Sequence, residues 1–213
     1  AEARATSRRH GQSNNVKISS EEAAVFWIQV IPRENRAEMP RLIYDLRPVD
    51  RITADAVGEP GRRTFYIQAR QDDVLVTILC EKEQVRALAH SLEELLEEIN
   101  EKYPRPLGRE PDESELQLEE PLEPLFRAGR MGLGYEPRED WVVLVIQELA
   151  EEDQDPDRLR VVRFWATREQ MHALSRHSAD VVARGRPLCP LCGRPMDPEG
   201  HICPRRNGKA VVF

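Results

Sequence analysis

Two segments of this chain repeat one pattern, in which strand-like runs are followed by an amphipathic helix. This repetition limits the possible folds more than any other feature of the sequence. Residues 81–88 (EKEQVRAL) align with residues 167–174 (TREQMHAL) at an offset of 86 residues. Apolar residues then recur at spacings of three and four, which predicts helices at 82–101 and 168–184.

Strands are predicted from short runs that are rich in β-branched and aromatic residues. Six of these runs lie at 41–47, 51–57, 63–70, 74–80, 141–149 and 159–165, and two further strands are predicted near 124–135. Thr167 with Gln170 three residues later predicts a capping box at the start of the second helix. Together the patterns predict an α+β fold, in which two related β-β-α halves form an antiparallel sheet with two helices on one face.

The chain divides into five predicted segments. Residues 1–20 are polar and basic, and residues 23–31 form an apolar stretch that is too short for a spanning helix. The whole segment 1–38 lacks a convincing amphipathic element and is predicted to be a flexible or spurious N-terminal extension. Residues 104–121 are dense in proline and glutamate, which is typical of an acidic, solvated linker. This linker separates a first β-rich and helical half at 39–103 from a second at 122–185, and a zinc-binding tail is predicted at 186–213.

Composition excludes several classes of protein. The chain has 213 residues, of which 40% are apolar and 32% are charged, and its net charge is −7. No run reaches the roughly 18 apolar residues that a membrane-spanning helix requires. The acidic balance argues against a protein whose whole surface binds nucleic acid. The charge is uneven, because residues 184–209 contain six basic and two acidic side chains, whereas residues 81–123 contain five basic and fourteen acidic.

The tail contains a cluster of metal-ligating residue types. Cys189 and Cys192 are separated by two residues, a spacing that lets both thiolates bind one ion, and Gly193 allows the backbone to turn tightly after them. His201 and Cys203 are two residues apart, so their side chains leave the same face of an extended chain. Thiolates and an imidazole together favour tetrahedral zinc, and the sequence therefore predicts a zinc-binding loop.

This site is predicted to be structural, with one Zn²⁺ per chain, because four protein ligands leave no position for a catalytic water. The alternative is a set of reactive or disulfide-bonded cysteines, with His201 as an ordinary surface residue. The fourth cysteine, Cys80, lies alone in an apolar run and is predicted to be a buried apolar side chain. One lone thiol beside one metal-type cluster favours a reducing cytoplasm over a disulfide framework.

Two glycine-containing segments are further candidates for working loops. The loop from Gly58 to Arg63 carries Arg62 and Arg63, and two adjacent arginines can fork around a phosphate or carboxylate. The alternative is a hairpin turn whose arginines keep the strand edge soluble. The run from Gly129 to Gly134 lacks the glycine spacing of a nucleotide-binding loop and is predicted to be a hairpin turn.

Several motifs together resemble a bacterial family known as domain of unknown function 3090. They are MPRLIYD at 39–45, VGEPGRRTFYIQAR at 57–70, KEQV at 82–85, MGLG at 131–134 and the cysteine-containing tail at 185–204. The resemblance covers residues 39–208. It implies no activity, because the family has no established activity that could be carried over to these residues.

Three functions are consistent with these features. The first is a cytoplasmic zinc-binding or adaptor module that recognises a protein partner, and the absence of catalytic motifs favours it over an enzyme. The second is an enzyme or ligand-binding regulator that acts on a phosphorylated metabolite through Arg62 and Arg63, aided by carboxylates such as Asp45 and Glu59. The third is nucleic-acid binding through the basic tail, which the acidic helix face and linker disfavour. No membrane partner is predicted.

Overall fold

The computed structural model describes residues 42–151, 154–155, 158–185, 189–193, 196 and 203–205 in full, and the backbone alone at 16–17, 27–28, 201–202, 206 and 210–211. The helices in this part of the chain are α1 (Lys82–Lys102) and α2 (Arg168–Ala183). The strands in chain order are β1 (Val16–Lys17), β2 (Trp27–Ile28), β3 (Leu42–Leu46), β4 (Arg51–Val57), β5 (Thr64–Gln71), β6 (Val74–Cys80), β7 (Pro124–Glu136), β8 (Trp141–Glu148), β9 (Val161–Ala166), β10 (His201–Ile202) and β11 (Ala210–Val211).

Seven of these strands form the main path of one sheet, in the order β3-β9-β8-β7-β6-β5-β4, and with the two helices they confirm the α+β class. The prediction of a wholly antiparallel sheet is wrong, because β6 and β7 are parallel, as are β3 and β9. The chain passes from β6 to β7 through α1, and such a crossover is what joins parallel neighbours. The other neighbouring pairs along this path are antiparallel.

The short strands β1 and β2 lie beside this sheet. β1 pairs antiparallel with β2, and Ile28 of β2 pairs in parallel with Leu133 of β7. The rest of the segment 1–38 lies outside the described residues, as do residues 39–41. The division of the chain at residue 39 therefore stays a prediction.

The sheet curves until its two edges approach each other. β3 and β4 lie at opposite ends of the strand order, yet residues 47–50 are all that connects them. A connection of this length spans at most roughly 17 Å, whereas seven flat strands would extend over about 29 Å. Hydrogen bonds of 2.8 Å from Val49 N to Trp165 O and from Asp50 N to Arg70 O join the connection to strands near both edges. The sheet is therefore shaped like an open barrel.

One hydrophobic core joins the sheet and both helices. Alternate side chains along the strands face it, including Ile67 and Ile78, which are fully buried. The helices add apolar stripes that include Leu88 and Leu174. Outside these stripes the helices are polar, and neither of the two helices in the described residues is long and apolar enough to cross a membrane.

The two helices are antiparallel neighbours. Arg168, the first residue of α2, donates from Nη1 to Oδ1 of Asn100 near the end of α1, at 3.1 Å. Ser175, almost two turns further along α2, donates from Oγ to the carbonyl of Ala89 at 2.7 Å. The later residue of α2 thus meets the earlier residue of α1, and small side chains at this contact permit close approach.

The start of α2 confirms the predicted capping box. Thr167 is the N-cap residue, its hydroxyl accepts a hydrogen bond from the Gln170 amide, and the Gln170 side chain accepts one from the Thr167 amide. The side-chain amide of Gln170 also donates to the carbonyls of Val49 and Asp50, both at 3.1 Å. The side chain of Gln170 therefore gives the Thr167 amide a hydrogen-bond acceptor at the start of α2. It also holds in place the connection between β3 and β4.

The prediction of a hairpin turn from Gly129 to Gly134 is wrong, because these residues lie inside the 13-residue strand β7. Gly134 pairs with Val143 of β8. A Cβ atom on Gly129 would lie 2.8 Å from the carbonyl oxygen of Glu148. Glycine is therefore needed at residue 129 for the close approach of the chain around the end of β8, not for a turn.

The later part of the predicted linker, residues 113–119, contacts the face of the sheet opposite the helices. Residues Glu113–Leu116 form a 3-10 helix in which Leu116 is buried. Gln68 of β5 donates from Nε2 to the carbonyl of Glu119 at 2.9 Å, and the amide of Glu119 donates to Oε1 of Gln68 at 2.8 Å. The segment is therefore tied to β5, while its role as the boundary between two halves stays a prediction.

A buried arginine joins the start of α2 to the β7–β8 hairpin. Arg168 is 2% exposed, and its guanidinium donates to Oδ1 of Asp140 at 2.6 Å and to the hydroxyl of Tyr135 at 2.8 Å. Burial raises the pKa of the Asp140 carboxyl, but hydrogen bonds from Tyr135 and Arg168 outweigh burial and hold this pKa below its usual value. The ionised carboxylate is therefore part of the folded structure at neutral pH.

Glu169 fixes the segment that leaves α1. It accepts hydrogen bonds from Nη1 of Arg105 at 2.8 Å and from the amide of Gly108 at 2.7 Å. Burial raises the pKa of Glu169, but these bonds outweigh burial and lower the pKa from 4.5 to about 2. The stabilisation by this carboxylate is therefore complete above the ordinary pKa and is lost as the pH falls towards 2.

Candidate metal centre

The thiols of Cys189, Cys192 and Cys203 converge near the C-terminus. Their Sγ atoms all lie within 4.8 Å of one another. The Sγ atoms of Cys189 and Cys203 are 3.9 Å apart, nearly twice the S–S bond length of about 2.05 Å. The cluster therefore consists of separate thiols, and the disulfide alternative does not describe it.

These distances fit the edges of a tetrahedron around one metal ion. Zn–S bonds of about 2.3 Å in tetrahedral geometry place two sulfur atoms about 3.8 Å apart. The distance of 3.9 Å between the Cys189 and Cys203 sulfur atoms agrees with that edge. Three of the four predicted ligands therefore lie where a single ion can bind them.

Two short backbone structures position the cysteines. Cys189 and Cys192 flank a turn in which the amide of Gly193 donates to the carbonyl of Cys189 at 2.8 Å. Gly193 has a φ of +70°, a conformation that favours glycine, so the predicted tight turn is confirmed. Cys203 directly follows β10, which pairs with β11 as a two-stranded antiparallel sheet. The turn thus positions the thiols of Cys189 and Cys192, and the hairpin positions the thiol of Cys203 beside them.

The side chain of His201, the fourth predicted ligand, lies outside the described residues. The backbone of His201 lies in β10, opposite Val211. Residues two apart on an extended chain project from the same face, and Cys203 is two residues further on. His201 therefore stays a predicted ligand.

The cysteine cluster has a small core of its own. Cys189 and Cys203 are buried together with Met196, and Cys192 packs against them. This cluster is separate from the main hydrophobic core. Ligand spacing does not predict Met196. The signal for it is an apolar side chain within the polar, proline-containing segment between the two ligand pairs.

The charge of the surrounding segment suits a thiolate site. Three thiolates, a neutral imidazole and Zn²⁺ together carry a net charge of about −1. Residues 184–209 contain six basic side chains and two acidic ones. A locally basic segment lowers the free energy of the thiolate relative to the thiol and so favours metal binding.

The loop that carries Arg62 and Arg63 contacts α2. Gly58 and Gly61 have φ values of +110° and +96°, so the loop is the turn that its glycines predict. Nη1 of Arg63 donates to the carbonyl of Val181 in the last turn of α2, at 2.8 Å, whereas Arg62 is exposed. Arg63 therefore satisfies a carbonyl that the helix itself leaves unmet. Anion binding by the pair stays a prediction.

Asp45 and Cys80 stabilise the fold: Asp45 joins two strands and Cys80 lies in the main core. Asp45 accepts hydrogen bonds from Nη2 of Arg163 at 2.6 Å and from Nε1 of Trp165 at 2.7 Å, which ties β3 to β9. Cys80 is buried in the main core, as predicted, and burial raises the pKa of its thiol to about 12. Cys80 therefore behaves as a small apolar side chain, not as a nucleophile.

Residues 44–203 match the family described as "Protein of unknown function (DUF3090)". The matched range contains the three clustered cysteines and His201, together with the sheet from β4 to β9 and both helices. Comparisons with curated proteins and with solved structures give no match. Because the family match covers more than half of the chain, this protein belongs to the DUF3090 family.

Proposed function

We propose that Cys189, Cys192, His201 and Cys203 bind one Zn²⁺ ion, and that this ion stabilises a loop on an α+β binding module. The observation that carries the proposal is the convergence of three thiols, two of them separated by 3.9 Å. Zinc is favoured over other metals because a set of thiolates with one imidazole is soft and tetrahedral.

The proposed role of the ion is structural. Four protein ligands complete a tetrahedral shell, so no position remains for a water molecule that could react. Cys189 and Cys203 are almost completely buried, which keeps solvent away from the ion. The segment has little other apolar surface, so metal binding supplies most of its folding free energy.

We further propose that this module acts in the cytoplasm and binds a protein partner. Leu191 lies between two ligand cysteines and is 46% exposed, so the ion holds an apolar side chain outwards on a rigid turn. The edge strand β3 adds Leu42 and Tyr44, which are also exposed. Exposed apolar side chains on rigid backbone are typical of protein contacts. Separate thiols favour a reducing compartment.

We infer that the two halves of the chain are structural repeats. Gln84 and Gln170 are 86 residues apart and hold the same position in the capping boxes of α1 and α2. Gln84 donates to the carbonyls of Ala128 and Gly129, at 3.0 and 3.1 Å, much as Gln170 donates to two carbonyls before β4. In the first half α1 follows the four strands β3 to β6, and in the second half α2 follows the three strands β7 to β9. Equivalent residues thus make equivalent contacts, which supports a duplication.

The binding-module proposal is tested on the full chain and a Leu191→Ser variant, both purified from cells without added metal. Zinc content and co-purifying protein are measured together. We expect one zinc ion per chain in both proteins, because serine at 191 leaves every ligand in place. We expect a partner with the wild type alone, because serine removes the apolar contact. Wild-type protein without zinc would contradict the metal site, and equal capture of a partner by both proteins would contradict the role of Leu191.

A further inference from the structure

A groove of about 680 Å³ runs between α1 and α2. Both walls are helical stripes with spacings of four, three and four residues. The α1 wall includes residues 86, 90, 93 and 97, and the α2 wall includes residues 172, 176, 179 and 183. Each position on the α2 wall is 86 residues after one on the α1 wall, which is the offset of the sequence repeat. Sites for small molecules typically enclose about 300–1,000 Å³.

The groove has an excess of basic side chains. Five lining residues carry or can carry a positive charge, and two carry a negative charge. The basic residues are Lys82, Arg86, His90, His172 and Arg176. The chain as a whole has a net charge of −7 when histidine is counted as neutral, and on the same count the groove has three basic side chains and two acidic ones. A basic cluster within an acidic protein attracts a small anion but leaves a long polyanion repelled by the remaining surface.

Glu110 orients the basic residues of the α2 wall. Its Oε1 lies 3.0 Å from Nδ1 of His172, and its Oε2 lies 3.4 Å from Nη1 of Arg176. One carboxylate from the segment after α1 therefore holds two neighbouring side chains in place. This arrangement lowers the entropy that the two side chains would lose on binding a ligand.

The end of the groove at the C-terminus of α2 is formed around Gly185. A Cβ atom on this residue would lie 2.9 Å from Nζ of Lys82 and 3.3 Å from Nη2 of Arg63. The absence of a side chain at Gly185 therefore lets two cationic groups converge. Arg63, one of the two arginines predicted to bind an anion, thus lies next to a residue that lines the groove.

We propose that this groove binds a small phosphate ester, with its phosphate group held by the basic side chains of both helices. A phosphate group suits these donors better than a carboxylate does, because its tetrahedral oxygen atoms accept hydrogen bonds from several directions. A phosphate group alone fills a small part of the groove. Glu93, Glu97 and Asn100 also line it and offer acceptors for hydroxyl or amino groups on the organic part of the ligand.

The test is a titration of the full chain with glycerol 3-phosphate, monitored by amide chemical shifts, with glycerol and inorganic phosphate as parallel titrants. We expect shifts in the residues that line the groove for both phosphates, tighter binding for the ester, and none for glycerol. An Arg86→Gln, Arg176→Gln double variant should bind at least tenfold more weakly. Both side chains are more than half exposed, so this change leaves the fold intact.

A matched control separates a binding effect from a folding effect. In Arg158→Gln the affinity should stay within about twofold of wild type, because the Arg158 side chain is 82% exposed and does not line the groove. Unchanged affinity in the double arginine variant, shifts confined to residues 58–63, or a Kd weaker than about 10 mM for the ester would overturn the proposal.

Discussion

Replacing Cys189 and Cys192 with serine is expected to abolish zinc binding and to unfold the C-terminal loop, while the α+β body stays folded. Structural zinc sites have apparent binding free energies of about 10–16 kcal/mol at neutral pH. The small core around Cys203 and Met196 is separate from the main core. Unfolding of the small core should therefore leave the packing of the sheet unchanged. Hydrogen exchange should become fast at residues 186–208 and stay slow in the central strands.

Cys80→Ala is the matched control for this experiment, because it removes a thiol that is buried in the main core and leaves the predicted ligands in place. This variant should retain zinc and slow exchange in the C-terminal loop. If the double serine variant instead shows fast exchange throughout the sheet, the loop belongs to the main folding unit and the separate-core account is wrong. Full zinc content in that variant would exclude these two cysteines as ligands.

The substitution Arg168→Met is expected to lower the free energy of unfolding by about 1.5–3 kcal/mol, the usual cost of losing hydrogen bonds to charged groups. The guanidinium of Arg168 donates to Asp140, to Tyr135, to Asn100 and to the carbonyl of Tyr103. Methionine keeps much of the volume but removes all of these donors. The buried Tyr135 hydroxyl and the Asp140 carboxylate, which is 31% exposed and also pairs with Arg105, therefore each lose a partner. Urea unfolding followed by circular dichroism measures the change.

Arg158→Met provides the control, because Arg158 has a side chain that is 82% exposed and a long ion-pair contact of 3.7 Å with Asp155. This change should alter the free energy of unfolding by no more than about 0.5 kcal/mol. A loss below about 1 kcal/mol in Arg168→Met would mean that the buried network contributes little net stability.

The helices could be predicted because their signals are local. Leu88, Leu92 and Leu95 recur at helical spacing, and all three are buried against the sheet. The capping residue Thr167 marks the start of α2 to the residue. The predicted range 82–101 compares with an observed helix that ends at Lys102. Periodicity and capping depend on residues within one or two turns, which a single sequence contains in full.

The sheet order could not be predicted because it depends on distant segments. Thr77 of β6 pairs with Pro124 of β7 across the whole of α1, and no local pattern specifies that pairing. The contact between the 104–121 segment and the sheet also depends on distant residues. Gln68 is polar, yet it is 2% exposed because it bonds the backbone of Glu119, 51 residues away.

The metal site could be predicted from the sequence as far as the spacing of its ligands determines it. The pairs Cys189–Cys192 and His201–Cys203 predict the convergence, and the three described thiols confirm their part of it. The groove between α1 and α2 could not be predicted from the sequence. Arg86 and His172 lie on helix faces that read as ordinary solvated surface, and they become one lining only through the antiparallel packing of α1 and α2.

X-ray absorption at the zinc edge of the full chain, purified without added metal, tests the central claim most directly. The account predicts one zinc ion whose inner shell contains three sulfur atoms at about 2.3 Å and one nitrogen atom at about 2.0 Å. We assign this nitrogen atom to His201. In a His201→Ala variant, the nitrogen contribution to the zinc-edge spectrum should be absent or replaced by that of another light atom. An inner shell of nitrogen and oxygen atoms alone, or a chain that carries no zinc, would contradict the account.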